Sequence, residues 1–356
     1  MDLFSFRKKR ELIGLDIGAH AVKAVQVQRA RGGYELKHLG LAPLGPDTIV
    51  DGVIMDSNAV IGAIQEIFKA NTIKTKDVAV AVSGHSVIIK PIRITRVQEH
   101  ELEGAIQWEA EQHIPYAMED VNIDFQVLPT TPPDATEMDV LLVAVKKEII
   151  NDYLAIISTA GLNAAVVDVE SFALENVYNE LCADASPGEV VALVNLGAAI
   201  TNINILRTGI SEFRRDSAIG GNRYTESIQK MLGLSFEQAE ALKLGSTEVE
   251  NRTFADAKPA IDMVSAELAG DIRRSFDFFR STAHTDTINK VLVSGGCARL
   301  PGLTAYLSEA LEVPFEVLNP LRNVKADPKQ FDQEYLEYIA PQLAVGVGLA
   351  LRQVGD

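Results

Sequence analysis

Asp16, the run Gly18-Ala19-His20-Ala21 and Lys23 stand close enough in the chain to act on one phosphate group. Between Leu12 and Gln28 an apolar run ends on Asp16 and the small-residue turn follows. Val25 and Val27 then alternate with Gln26 and Gln28, which is the pattern of a β-hairpin. In such a turn Gly18 and Ala19 leave room for backbone N–H groups to face an anion. Lys23 adds a point charge, and Asp16 can hold Mg2+ directly or through water. Taken alone, the segment reads as an ordinary hairpin, because motifs this short recur by chance. A second copy reverses that weighting. Val194–Ile203 aligns without gaps on Leu15–Ala24, with Asn195 at the position of Asp16 and Gly197, Ala198 and Ala199 at those of Gly18, Ala19 and His20. Two such hairpins far apart predict duplicated lobes, each presenting a phosphate-binding turn to a shared cleft.

Further glycine pairs follow. Ile219-Gly220-Gly221-Asn222 opens a predicted helix, and Ser294-Gly295-Gly296-Cys297-Ala298-Arg299-Leu300-Pro301-Gly302 reads as strand, turn and helix. Paired glycines there let backbone approach a ligand closely. Gly346 and Gly348 form only a fragment of a dinucleotide fingerprint with no strand after them, so they read as close helix packing.

The elements that must position these residues follow from periodicity. Val60, Ile61, Ile64, Ile67 and Phe68 predict a helix over 58–71, and 77–82 reads as a buried strand ending at Ser83-Gly84. Segments 33–34 and 41–52 read as turns and short strands. Strand 88–94, helix 97–113, strands 121–128 and 138–145 around the turn 129–134, helix 147–160 and strand 164–169 make a compact β-α-β-β-α-β module. Trp108 and His113, on its first helix, are read as packing residues. A helix over 172–182 runs into Ala185-Ser186-Pro187-Gly188, the strongest linker signal. Beyond it come helices near 222–232, 235–244 and 257–282, a strand at 290–293 and a final helix at 338–354. The expected division is a first lobe of 1–87 with 166–187 and 337–356, an insert at 88–165, and a second lobe at 188–336 whose helical part covers about 222–285.

Composition narrows the partners. The 356 residues are 47% hydrophobic and 23% charged, a globular balance with room for two domains, and the formal net charge is −16. An acidic chain without basic stripes argues against nucleic acid. Cys182 and Cys297 are too few for a disulfide framework and read as structural thiols in a reducing compartment. The absence of a long apolar run predicts a cytoplasmic protein. Leu3, Phe4 and Phe6 before Arg7, Lys8, Lys9 and Arg10 form a small patch that reads as a solvated terminus before it reads as a membrane contact.

With these motifs in this order, the chain resembles the actin-like ATPase superfamily, which implies a two-lobed α/β, ribonuclease-H-like fold and ATP or ADP with Mg2+ as cofactors. The resemblance puts phosphate loops at Asp16 to Lys23 and Asn195 to Thr201, connecting segments at Asp168 to Leu174 and Gln342 to Ala350, and the adenosine motif at Gly295 to Gly302. It implies that Lys23 contacts phosphate, that Glu170 positions the attacking water as the catalytic residue, and that Arg299 covers the adenine. Gly220, Gly221 and Asn222, followed by Glu237 to Lys243 with Glu240 and Lys243, look like the ribose and adenine face. The insert lies where FtsA carries its extra subdomain. Within it the segment Ile106-Gln107-Trp108-Glu109-Ala110-Glu111-Gln112-His113-Ile114-Pro115-Tyr116, then Glu119-Asp120-Val121 and Asp124-Phe125, is similar to the signature of the PilM family of type IV pilus assembly proteins. That resemblance implies an ATP-binding adaptor, peripheral at the inner membrane. It would dock the N-terminal cytoplasmic tail of PilN between first lobe and insert, reach PilO indirectly, and link the membrane complex to motor ATPases in pilus biogenesis and twitching motility.

One residue departs from the superfamily pattern. Asn195 stands where the second phosphate loop usually carries Asp, which removes one anionic ligand near Mg2+ and predicts slow or negligible hydrolysis. A small-molecule kinase on the same fold is the enzymatic alternative, and it lacks a convincing acid or base beyond Glu170 and Asp16. An FtsA-like filament protein is the other, and the sequence through Asp356 shows no C-terminal amphipathic membrane helix.

Overall fold

The computed structural model describes residues 12–50, 52–84, 87–128, 132, 135–182, 188–245, 248–283 and 287–354. The basic segment 1–10, most of the turn 129–134 and the linker residues 185–187 lie outside the described residues.

The chain begins with β1 (Ile13–Ile17), β2 (Ala21–Ala30) and β3 (Gly33–Pro43), a meander whose last member is one long strand rather than the short pieces expected. β4 (Ile49–Val50) and β5 (Val53–Ile54) form a small ribbon before α1 (Ser57–Ala70), whose start is capped by Asp56 accepting from the Ala59 N–H at 3.0 Å. There follow β6 (Asp77–Val82), β7 (Val87–Thr95), α2 (Glu99–His113), β8 (Val121–Val127), β9 (Glu137–Lys146), α3 (Lys147–Thr159), β10 (Asn163–Val169) and α4 (Glu170–Val177). After α4 the chain passes through a π-helical turn, Tyr178–Cys182.

The second half repeats the opening with β11 (Val190–Leu196), β12 (Thr201–Arg207) and β13 (Ile210–Ser217). The helices α5 (Gly221–Leu232), α6 (Phe236–Lys243) and α7 (Phe254–Ala283) come next, and then β14 (Lys290–Ser294), α8 (Leu303–Leu311), β15 (Phe315–Val317) and β16 (Val324–Lys325). The chain closes with α9 (Gln333–Ile339) and α10 (Ala344–Ala350). The single helix expected over 338–354 is therefore broken. Pro341, which has no N–H to donate, sits in a 3₁₀ turn over Ala340–Leu343 and ends α9.

Sheet order shows the duplication. One sheet runs β10-β6-β1-β2-β3-β16 and the other β13-β12-β11-β14-β15. In each, an antiparallel three-strand meander is extended on its first strand by a parallel strand, β6 or β14, and then by another, β10 or β15. This symmetry also explains how the insert is divided. Its six elements occur in the order read from the sequence, and β7, β9 and β8 form their own antiparallel sheet with a core shared by Leu102, Ile106 and Ala110 of α2. The last strand, β10, is the fifth strand of the first lobe's sheet, and Tyr153, Ile156 and Ile157 of α3 pack into that lobe's core.

Between the two sheets lie α4 and α10. One hydrophobic core joins Val25 and Ala79 of the first sheet, Leu174 and Val177 of α4, Leu193 and Leu292 of the second sheet, and Val347 and Leu349 of α10. The contacts are close enough to need glycine. A Cβ on Gly14 would lie 1.9 Å from the Gly346 carbonyl oxygen, and one on Gly348 would lie 1.9 Å from that of Ala173. Gly346 and Gly348 are thus packing residues, as their isolation from a following strand suggests.

Trp108 departs from the packing role expected of it. It is 65% exposed, because the buried stripe of α2 is Leu102, Ile106 and Ala110 and position 108 falls on the opposite face. His113 is half-buried, its Nδ1 lying 3.3 Å from Lys90 Nζ. Both cysteines are free thiols. No helix among the described residues is long and apolar enough to cross a membrane.

Candidate functional site

The two hairpin turns face one cleft. The Gly18 N–H donates to the Ala21 carbonyl at 3.2 Å, and the Gly197 N–H donates to that of Ile200 at 3.0 Å, so both turns close in the same way. Asp16 sits across its ladder from Lys23, and Asn195 sits across the other from Asn202, which makes the two pairs structural equivalents. Lys23 Nζ lies 2.8 Å from Asp16 Oδ2, with both side chains only 14% exposed. In the second lobe neither equivalent is charged. Asn195 Nδ2 donates to Glu170 Oε1, and Asn195 Oδ1 accepts from Ser294 Oγ at 3.0 Å. Asn202 Nδ2 donates to Asp216 Oδ1 at 2.6 Å, while Asp216 Oδ2 accepts the Gly84 N–H at 3.2 Å. Asn195 to Glu170 and Asp216 to Gly84 are cross-lobe contacts that hold the two sides of the cleft together.

Electrostatics differ between the walls. Burial, and after it the nearby Asp16 charge, push Glu170 up to about 7, although hydrogen bonds with Ser83 and Asn195 favour its ionised form. An amide at 195 suits this neighbour, since it donates a hydrogen bond where a carboxylate would add a third negative group. His20 at the turn apex is held below its ordinary value by burial, against the pull of Glu240 and with the charges of Lys243, Lys23 and Arg299 adding to the depression.

The second wall is built from α5 and α6 around the Asn195 turn. The Gly221 N–H donates to the Gly197 carbonyl at 2.9 Å and the Asn222 N–H to that of Ala198 at 2.8 Å. Gly220 sits behind the turn and does not line the cleft; a Cβ there would meet the Ala198 oxygen at 2.5 Å, so it is a close-packing residue. Lys243 Nζ donates to the Gly221 carbonyl at 3.2 Å, to Thr225 Oγ1 at 2.9 Å and to Glu240 Oε2 at 2.5 Å. Burial alone would raise Glu240, but Lys243 and the Thr225 hydroxyl bring it below the usual carboxylate value. Gly295 has φ +88, and a Cβ there would meet the Leu196 oxygen at 2.3 Å, so only glycine lets β14 turn beside the second hairpin.

The cleft thus brings together Asp16, Gly18, Ala19, His20, Lys23, Glu170, Asn195, Gly197, Ala198, Ala199, Gly221, Asn222, Glu240, Lys243, Gly295, Gly296 and Arg299. Gln342, at the start of the second connecting segment, lines it as well, and sequence reasoning missed Ser83 and Tyr153, which also line it. Ser83 carried a signal, since it ends the strand beside β1. Tyr153 carried none.

The donor set fits a phosphate chain. The N–H groups of Ala19, His20, Ala198 and Ala199 make no hydrogen bond among the described residues, and Lys23 lines the same cleft. It also fits Mg2+ of a particular kind. No group of three or more His, Cys, Asp or Glu among the described residues could hold a metal ion by itself. A cation here would take Asp16, with phosphate oxygens and water as its remaining ligands.

A profile of the family described as type IV pilus assembly protein PilM matches residues 14–354. The chain belongs to the PilM family. Among solved structures it is similar to a PilM-PilN type IV pilus biogenesis complex, with a TM-score of 0.86 and 32% identity over 97% of this chain and 99% of that one. Ethanolamine utilization protein EutJ from Carboxydothermus hydrogenoformans shares the fold at a TM-score of 0.58 and 16% identity, covering 96% of this chain and 89% of its own. So does MreB5 of Spiroplasma citri bound to ADP, at 0.52 and 12%, covering 95% and 94%. Cell division protein FtsA of Streptococcus pneumoniae serotype 2 (strain D39 / NCTC 7466) is 22% identical over 351 residues, 86% of this chain and 75% of that protein. PilM membership and these neighbours make the fold the two-lobed actin-like one.

Proposed function

We propose that this PilM-family protein is a nucleotide-holding scaffold of type IV pilus assembly. It binds ATP or ADP with Mg2+ in the interlobe cleft and hydrolyses it slowly or negligibly. The observation that carries this reading is the pair of equivalent hairpin turns facing one cleft, one with Asp16 and Lys23 and the other with Asn195. Lys23 and the free turn amides would hold phosphate oxygens, and Asp16 would hold the metal. Glu240 and Asn222 would face the sugar end. When bound, Mg2+ would neutralise phosphate charge. Glu170 is the one candidate for positioning water, and its upward shift leaves it partly protonated near neutral pH. With Asn195 neutral, the site holds charge better than it drives transfer.

As a scaffold at the inner membrane, the protein would take the N-terminal tail of PilN between first lobe and insert, and through it connect PilO to the motor ATPases. Likeness to a solved PilM-PilN complex supports that partner. The sheet β7-β9-β8 leaves β7 and β8 as edges, and an extended tail could add main-chain hydrogen bonds and apolar anchors there. Within the insert at 88–165, β7, α2, β8 and β9 share a core of their own, whereas α3 and β10 pack with the first lobe. Two measurements test the proposal. Single-turnover hydrolysis should be far below about 1–100 s⁻¹, the range of ordinary kinases, and turnover within that range contradicts the scaffold reading. A PilN tail peptide should be retained by the full chain, and peptide binding that survives deletion of the β7–β9 part of the insert, with α3 and β10 kept, contradicts the proposed groove.

A further inference from the structure

Arg299 closes the glycine turn after β14 and lines the cleft. Its guanidinium carbon lies 3.7 Å from the centroid of the Tyr338 ring, which places the two groups in direct stacking contact. The buried Arg299 Nε has no hydrogen-bond partner among the described residues. Orientation of this cation is therefore supplied by an aromatic face and not by a carboxylate.

Tyr338 is itself well placed for this. It is carried by α9, whose first turn is capped by Asp332 accepting from the Tyr335 N–H at 3.1 Å and whose Leu336 and Ile339 are buried. The segment just after α9 is tied to the same glycine turn, because the Gly295 N–H donates to the Pro341 carbonyl at 2.8 Å. Hydrogen bond and stack are two connections between the same pair of segments. Yet Tyr338 is 54% exposed, so its ring is not there to fill the core.

We propose that Tyr338 is a positioning residue for nucleobase recognition. It stacks on one face of Arg299 and so fixes the other face of the guanidinium for a base bound in the cleft. A planar, delocalised cation can stack on aromatic rings on both sides, which a lysine could not do. The inference rests on the nucleotide reading of the cleft. It goes beyond that reading by assigning base affinity to a residue that does not line the cleft.

The test compares MgATP with inorganic tripolyphosphate, a probe with the phosphates and no base, on the unaltered 356-residue chain and on Tyr338→Leu and Tyr338→Phe. Tyr338→Leu is expected to weaken ATP about tenfold, equivalent to about 1.4 kcal/mol, with tripolyphosphate affinity unchanged. Tyr338→Phe, which keeps the ring, is expected to restore ATP affinity. Equal ATP affinity in wild type and Tyr338→Leu overturns the proposal, and so does a parallel loss of both ligands, which marks a structural effect. Failure of wild-type protein to bind either ligand overturns the nucleotide reading instead.

Discussion

At the scale of single residues, the decisive comparison is between Asp16 and Asn195. Equivalent in the duplicated hairpins, they meet different neighbours: Asp16 is paired with Lys23, while Asn195 donates to Glu170 and accepts from Ser294. Asn195→Asp should place a carboxylate against Glu170 and destabilise the nucleotide-free protein by about 1–3 kcal/mol, the range for a buried polar group that loses its partner. With Mg2+ and ATP the same variant should raise single-turnover hydrolysis by about tenfold or more, a barrier change of about 1.4 kcal/mol. Unchanged hydrolysis would contradict the role given to the missing carboxylate. Glu170 gives a pH prediction. In the folded chain it keeps its proton up to about 7, against an ordinary value of 4.5. Between those values the folded state binds more protons than the unfolded state, so this group lowers stability as pH rises through the window. Glu170→Gln keeps an acceptor for Asn195. In thermal melts without Mg2+ or nucleotide, it should exceed wild type at pH 8 and lose that advantage near pH 4.5. A difference independent of pH would argue against the shift. The Asp16 and Asn195 pair was legible from the gapless repeat, but the partners of Asn195 were not, because they come from α4 and β14, far away in sequence.

At the scale of elements, glycines divide into those that contacts demand and those that they do not. Gly348 of α10 has the Ala173 oxygen 1.9 Å from the position a Cβ would take, whereas Gly62 of α1 has nothing within 4 Å. Gly348→Ala should therefore destabilise by about 1–3 kcal/mol or more through overpacking. Gly62→Ala should stabilise by up to about 1 kcal/mol through helix propensity. Urea midpoints measure both, and opposite signs are the expected outcome. Periodicity located α1, β6, α5 and α6 because each carries its own amphipathic pattern or cap. It extended the last helix through Ala340-Pro341, where a small-residue apolar run conceals the break made by Pro341. It also read Trp108 as packed, since residue type alone says nothing of which side of α2 faces the sheet.

At the scale of the whole molecule, two sheets of matching order enclose α4 and α10, and the cleft opens where both meanders turn. The duplication was visible in the sequence at one hairpin per lobe. The place of β10 was not, because its pairing with β6 is set by the symmetry of the sheets and not by any local pattern in Asn163–Val169. Cross-lobe contacts, Glu170 with Asn195 and Gly84 with Asp216, lie directly at the cleft, so a ligand held by both turns acts on the same surfaces that join the lobes. If this cleft holds a nucleotide by its phosphates, Lys23 carries part of that binding. Calorimetric titration of MgATP into nucleotide-free wild-type protein and Lys23→Ala measures this dependence. One site per chain is expected, with affinity reduced about tenfold or more in the variant, a difference of at least about 1.4 kcal/mol. Absence of binding by wild type, or equal affinity in Lys23→Ala, would contradict it.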